Sequence, residues 1–170
     1  YAFELPFRAR PDMDSIKLGD EITFTVDCST TFFDLASGKE IDYSDARNLG
    51  SSISFGKYDS TEMTMVKAAN QLSYNLIKGS PVKPIDSTER RDYRFTESNG
   101  RYVFELRVKP KTSGLYIVAF SNSANVFREG DPCTKAGFTI NLVETRHNRY
   151  LVGYGDEATP GGDFYFHVSP

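Results

Sequence analysis

The sequence predicts an all-β fold, an antiparallel β-sandwich of seven to eight strands with long loop insertions and one short helix. Segments in which apolar and polar residues alternate recur along the chain, and this pattern is typical of strands with one buried face. Turn-forming residues separate these segments, without the regular strand–helix alternation of a parallel sheet. The chain has 170 residues, enough for one sizeable core, and we expect a single domain over residues 1–170.

The first two strands lie on either side of a turn at Gly19–Asp20. Because proline lacks a backbone N–H, Pro6 predicts that the N-terminal strand is an edge strand or a bent strand. Its buried face is expected to hold Phe3, Leu5 and Phe7. The second strand is expected to bury Ile22, Phe24, Val26 and Cys28.

A third strand is predicted around Ile53 and Phe55, and the segment after it breaks the alternating pattern. Asp59 and Glu62 have the spacing of a capping box, which predicts the start of a helix. Met65, Ala69, Leu72 and Leu76 lie on one helical stripe, although Leu72, Tyr74 and Leu76 also alternate as in a strand. We therefore predict a short helix from about Thr61 to Asn70, followed by a strand to about Ile77.

Four further strands are predicted in the second half of the chain. Their alternating positions are Tyr102, Phe104, Leu106 and Val108; Tyr116, Val118 and Phe120; Phe138, Ile140 and Leu142; and Phe164, Phe166 and Val168. Long loops are expected over residues 29–50 and 79–92, which are rich in Ser, Asp, Gly and Pro.

The segment from Gly114 to Val118 carries a more specific signal. Immunoglobulin-type sandwiches have a tyrosine near the start of the sixth strand, two residues before a core position, whose hydroxyl bonds back to the preceding turn. Gly114, Tyr116 and Val118 have this spacing, which resembles the G-x-Y-x-V segment of PKD-like and other immunoglobulin-like modules. Residues 19–24 (GDEITF) are similar to the segment with which such modules often start. The resemblance implies immunoglobulin-like topology, with a buried Tyr116.

A broader resemblance covers most of the chain. The segments "DSIKLGDEITF" and "TPGGDFYFHV", together with the long insertions, resemble secreted lipoproteins of the Bacteroidetes type, which carry immunoglobulin-like domains of unknown function. The resemblance implies a periplasmic or outer-surface location, with a lipid anchor upstream of Tyr1 and a signal segment already removed. No run of about 18 apolar residues predicts a transmembrane segment.

Charge and motifs argue against several classes of function. The net charge is −3 with both signs interspersed, so we expect no nucleic-acid partner. The sequence has no H-E-x-x-H, G-x-S-x-G or G-x-G-x-x-G motif, and His147 and His167 are expected at the solvated surface. Asp156, Glu157 and Asp163 are a candidate set of calcium ligands, but these acids lack EF-hand spacing. We predict no catalytic residues, no metal site and no cofactor.

Four aromatic residues in two long connections are the candidate binding residues: Phe32, Phe33, Tyr43 and Phe127. In an immunoglobulin-type sandwich these connections emerge at the same end, so the aromatics could form a binding surface for a protein or a glycan. Alternatively, the long loop folds back and its phenylalanines cap the core.

Cys28 and Cys133 are the two cysteines of the chain. If the strands are assigned as in an immunoglobulin-type sandwich, both lie at one end and could form a disulfide bond that joins two long loops. The phase of Cys28 agrees equally well with a buried thiol that acts as a small apolar residue.

These observations predict a non-catalytic binding or structural module of a secreted or cell-surface lipoprotein. The alternative is a carbohydrate-binding accessory protein of a glycan-uptake system that uses the loop aromatics. An enzyme is the third and lowest-ranked hypothesis, because the sequence shows no coherent set of catalytic residues.

Overall fold

The computed structural model describes residues 1–82, 89–155 and 159–170, without the side chains of Pro132 and Cys133. This part of the chain forms seventeen strands: β1 (Ala2–Arg10), β2 (Ser15–Lys17), β3 (Ile22–Ser29), β4 (Thr31–Asp34), β5 (Lys39–Asp42), β6 (Ala46–Arg47), β7 (Gly50–Asp59), β8 (Thr64–Lys67), β9 (Leu72–Lys78), β10 (Ser80–Pro81), β11 (Arg90–Arg94), β12 (Thr96–Ser98), β13 (Arg101–Pro110), β14 (Gly114–Phe120), β15 (Ser123–Arg128), β16 (Asp131–Leu142) and β17 (Asp163–Ser169). Two short 3-10 turns, Ala69–Gln71 and Arg149–Val152, are its helical elements. No helix in the described residues is long and apolar enough to cross a membrane.

The strands form two mixed sheets and one separate hairpin. The first sheet has the order β12-β13-β3-β1-β16-β15-β6, with β9 also paired to β13. The second sheet has the order β10-β11-β7-β14-β17-β2, with β8 also paired to β7. The hairpin consists of β4 and β5. Most neighbours are antiparallel, but β1 pairs with β16 and β2 pairs with β17 in parallel.

The all-β prediction is confirmed, and so is the predicted alternation. In β13 and β14 every second side chain is buried in one core between the two sheets, while the intervening positions are more exposed. The strand count is higher than predicted because many strands have only two to five residues.

The prediction of an N-terminal edge strand is wrong, because β1 lies inside the first sheet between β3 and β16. The strand changes partner along its length: residues 2–7 pair with β16, and residues 8–10 pair with β3. Pro6 lies shortly before this change, at a position where its missing N–H is tolerated.

The predicted helix from Thr61 to Asn70 is also wrong. Residues 59–64 form the turn of a β-hairpin, in which Asp59 pairs with Thr64. Oδ1 of Asp59 accepts hydrogen bonds from the backbone N–H groups of Thr61 at 2.8 Å and Glu62 at 3.2 Å. The carboxylate at the start of the predicted helix therefore stabilises a turn, a role for which aspartate is equally suited. The strand predicted after it is confirmed as β9.

Tyr116 occupies the position that the sequence predicts for it. Its ring is fully buried in β14, and its hydroxyl donates to the carbonyl oxygen of Thr112 at 2.9 Å. The Thr112 hydroxyl lies 2.7 Å from the hydroxyl oxygen of Tyr116. Gly114 lies between the two residues at a φ of 138°, which side chains rarely adopt. The tyrosine thus closes the turn that joins β13 to β14.

Removal of the Tyr116 hydroxyl should destabilise the protein. We expect Tyr116→Phe to lower the free energy of unfolding by about 1 kcal/mol or somewhat more, because the Thr112 carbonyl loses a donor. Urea unfolding measures the change. Tyr154→Phe, at a side chain that is 63% exposed, is the control and should leave stability unchanged. Equal stability of both variants would show that the Tyr116 bond contributes nothing.

Candidate functional site

Two of the four candidate binding residues are buried rather than presented on a loop. The Phe32 ring packs 5.2 Å from the rings of Phe3 and Phe138. The Tyr43 side chain is fully buried, and its hydroxyl lies 2.7 Å from the carbonyl oxygen of Thr134, to which it can donate. For these two residues the structure therefore agrees with the alternative interpretation, in which the loop folds back and caps the core.

The other two candidates keep ring surface in solvent. Phe33 is 56% exposed in β4, next to the buried Phe32. Phe127 is half-buried in β15, where its backbone pairs with Arg47. A role of these two rings in ligand binding remains a prediction. The aromatic surface that they offer is smaller than the predicted surface of four residues.

Cys28 carries a free thiol, and the side chain of Cys133 lies outside the described residues. The bridge between the two cysteines therefore stays a prediction. The sheet order argues against a bridge, because β1 lies between β3, which holds Cys28, and β16, which holds the backbone of Cys133. Strands that are two places apart are about 9.6 Å apart. Disulfide bonds require Cα atoms within about 7 Å of each other. Burial raises the pKa of the Cys28 thiol to about 11.

The Cys28 thiol should resist alkylation in the folded protein. With a pKa of about 11, about one thiol in a thousand is ionised at pH 8, and the thiolate is the reactive form. A Cys133→Ser variant isolates the Cys28 signal, and we expect slow labelling in buffer and fast labelling in urea. In the unfolded, unreduced wild type, two thiols should react. An unreactive pair would establish the bridge instead.

The strongest candidate site is a groove on the outward face of the second sheet. Its floor is formed by Leu115 of β14 and Tyr165 of β17, whose neighbours in sequence face the core. The β7–β8 hairpin forms one wall, and the segment around the 3-10 turn Arg149–Val152 forms the other. We call it the tyrosine–methionine groove; its lining residues are Tyr58, Met63, Thr64, Met65, Leu115, Leu151, Val152, Tyr154 and Tyr165.

The tyrosine–methionine groove is open and uncharged, and its surface is polar and apolar in about equal parts. Its volume is about 510 Å³, within the range of ligand pockets. Met63 and Tyr154 at its rim are 78% and 63% exposed. Among the described residues that line it, none carries a charge at neutral pH. The hydrogen-bonding groups of its side chains are the hydroxyls of Thr64 and the three tyrosines.

A buried ionic network holds the second wall of the groove. Arg149 donates to both carboxylate oxygens of Asp163, from Nε at 2.7 Å and from a terminal nitrogen at 2.6 Å. Nδ1 of His147 lies 2.7 Å from the Asp163 carbonyl oxygen. His147 is only 5% exposed, so the prediction of a solvated histidine is wrong for it, whereas His167 is exposed as predicted. The network connects the turn Arg149–Val152 to β17.

Asp163 titrates abnormally within this network. Burial alone would raise the pKa of Asp163, but hydrogen bonds from Arg149 and His147 outweigh burial and hold the pKa well below its usual value. A depressed pKa in the folded state means that the ionised carboxylate stabilises the fold above the unfolded pKa of about 3.9. This stabilisation is lost as the pH falls below about 4 towards the folded pKa.

The Asp163→Asn variant tests this network. We expect it to be less stable than the wild type at neutral pH, with a difference that narrows as the pH falls below about 4. Urea unfolding at several pH values measures the difference. Asp45→Asn, at an exposed aspartate, is the control and should follow the wild type. A difference between Asp163→Asn and the wild type that stays constant with pH would contradict the assignment.

No three His, Cys, Asp or Glu side chains in the described part of the chain are placed to hold a metal ion. Asp163, one of the acids considered for calcium, is engaged by Arg149 and His147. Asp156 and Glu157, the other two, lie outside the described residues.

Comparisons with known proteins find little similarity. No family model matches the chain, and no curated protein matches it. A solved structure, a non-cellulosomal cohesin from the hyperthermophilic archaeon Archaeoglobus fulgidus, is similar at a TM-score of 0.34 and 11% identity, over 89% of this chain and 99% of that chain. A similarity at this level carries no argument about function.

Proposed function

We propose that this chain is a non-catalytic binding module that recognises a partner protein through the tyrosine–methionine groove. The observation that carries the proposal is an uncharged groove, lined by tyrosine, methionine and aliphatic side chains, on the outward face of a sheet whose other face already covers the core. Sheet faces that are not covered by protein are normally polar. An apolar outward face therefore indicates a surface that another molecule covers.

The composition of the groove favours a protein as that molecule. Tyrosine and methionine are enriched at the centres of protein–protein interfaces, whereas charged residues are depleted there. Tyr58, Tyr154 and Tyr165 supply large rings with a hydroxyl, and buried tyrosines are frequent energetic hot spots. Met63 and Met65 are flexible and polarisable, so they can adapt to the shape of a partner side chain.

Because no described residue that lines the groove is charged, its occupant should be an uncharged apolar segment. A buried charge without a partner costs several kcal/mol, and none of the described lining residues offers an opposite charge. A volume of about 510 Å³ accommodates a few side chains rather than a whole secondary structure element. We infer that the partner inserts a short run of apolar residues, flanked by polar residues at the rim.

The topology and location of the module belong to the same proposal. We assign it an immunoglobulin-like topology, supported by Tyr116, and a place at the periplasmic or outer surface in a lipoprotein, supported by the sequence resemblance. Protease treatment of intact cells tests the location, because a surface-exposed module is cleaved while cytoplasmic markers survive.

Variants at the rim of the groove test the function. A random peptide display library is selected on the wild type, and the enriched peptides are then tested by fluorescence polarisation. We expect peptides with uncharged apolar centres, whose affinity falls at least about tenfold with Met63→Glu or Tyr154→Ser. Met13→Glu is the matched control, because Met13 is 54% exposed and lies outside the groove, and it should leave affinity unchanged.

Two results would contradict the proposal. One is an enriched peptide set that binds Met63→Glu and Met13→Glu equally well, since the groove would then not be the site. The other is concentration-dependent dimerisation in sedimentation experiments that Met63→Glu abolishes, because a second copy of this chain would then be the occupant.

A further inference from the structure

A second cavity, unrelated in composition to the groove, lies where the chain crosses from the second sheet to the first. It has a volume of about 330 Å³ and lies between the start of β7, the end of β11 and the connection from β14 into β15. We call it the Arg94 pocket; its lining residues are Asn48, Gly50, Ser51, Ser52, Arg94, Asn122, Ser123, Ala124 and Asn125.

Arg94 is the charged residue among these lining residues, and it is partly buried. No described residue forms a hydrogen bond or an ion pair with its guanidinium group. Neighbouring arginines on β11 are engaged: Arg90 lies 3.5 Å from the Asp92 carboxylate, and Arg91 lies over the Tyr74 ring. A partly buried arginine without a protein partner is available to bind an anion, and its planar fork matches a carboxylate in a bidentate manner.

The other side chains of the Arg94 pocket are short hydroxyls and amides. Three serines and three asparagines surround the arginine, and each offers both donors and acceptors of hydrogen bonds. Ser51 and Asn122 are fixed by bonds to the backbone, the Ser51 hydroxyl to the Ser121 carbonyl at 2.8 Å and the Asn122 oxygen from Ile140 N–H at 2.9 Å. Ligand pockets are usually apolar in most of their lining. This pocket is therefore suited to a ligand whose surface is polar throughout.

The backbone around the pocket is shaped by unusual conformations. Asn48 and Asn125 adopt the left-handed region, at φ of 66° and 57°. The pairing of β15 with β16 shifts register between Ser123 and Val126, as in a β-bulge. A Cβ at Gly50 would collide with the carbonyl oxygen of Tyr93, so only glycine allows β7 to approach β11 this closely. Bulges and strained residues often re-aim side chains next to binding sites.

We propose that the Arg94 pocket binds an acidic sugar, in which Arg94 pairs with a carboxylate and the serines and asparagines bind ring hydroxyls. Because Arg94 contributes a single positive charge, the pocket matches a ligand with a single negative charge. A volume at the lower end of the range for ligand pockets corresponds to one sugar ring rather than a long oligosaccharide. The proposal is independent of the function assigned to the tyrosine–methionine groove, because it concerns different residues.

The test is a titration of isotope-labelled protein, followed by the chemical shifts of its backbone amides. Sodium glucuronate, glucose and sodium acetate are added separately at constant ionic strength. We expect glucuronate to shift the amides of residues 50–52 and 122–125 at lower concentrations than either other compound. Glucose has the ring without the charge, and acetate has the charge without the ring.

Two variants of β11 assign the effect to the arginine. Arg94→Gln should weaken glucuronate binding about tenfold or more, because a charge-assisted bidentate contact is lost. Arg90→Gln removes the same charge from the same strand at a residue outside the pocket, and it should bind glucuronate like the wild type. Arg94→Lys keeps the charge without the fork and should lie between the two.

Each other outcome contradicts the proposal. If acetate shifts the same amides as strongly as glucuronate, the pocket is a simple anion site. If glucose binds as well as glucuronate and Arg94→Gln has no effect, the charge is irrelevant. If glucuronate shifts no amide of residues 50–52 or 122–125, the pocket does not bind an acidic sugar. The unchanged spectrum of each variant without ligand serves as the control for folding.

Discussion

Every strand of a two-layer sandwich has two faces, and the core needs only one of them. In β14 the side chains of Tyr116, Val118 and Phe120 pack in the core, and the Tyr116 hydroxyl bonds the strand to the turn before it. This leaves the outward positions of the strand free of any packing demand. Leu115 and Tyr165 on that outward face are nevertheless apolar, and they form the floor of the tyrosine–methionine groove. The tyrosine–methionine groove therefore lies where the strands depart from the alternation of buried apolar and exposed polar residues.

The strands could be predicted from sequence because their alternation is local and is dictated by burial. Elements that depend on a choice between two local structures could not. Asp59 bonds to backbone N–H groups two and three residues later, as a helix cap would, but the residues after Met63 extend and pair with β7. A carboxylate at this spacing satisfies the first N–H groups of a helix or of a turn equally well. Here the turn forms rather than the helix, because the residues that follow it pair with β7.

The candidate site was missed for a related reason. The four candidate aromatics lie outside the predicted strands, yet Phe32 and Tyr43 have the lowest exposure of the four and pack against Phe3. The useful signal lay inside a strand, in the unbroken apolar run from Leu115 to Phe120. A strand that is apolar on both faces is normally covered on both faces by other parts of a protein. The two walls of the groove come from residues 58–65 and 151–154, which are far apart in sequence, and strand pairing and the Arg149–Asp163 ion pair bring them to the same face.

The two proposed sites are connected by one strand. β7 begins at Gly50 in the Arg94 pocket and reaches the tyrosine–methionine groove at Tyr58, which places the two sites about 26 Å apart. Between the two sites, the outward positions of β7 are Ser54 and Gly56. Sites separated by this distance and without shared residues contribute independently to the binding free energy. Under the two proposals, β7 borders both a site for a protein and a polar site for a sugar, because its inward face alone maintains the fold.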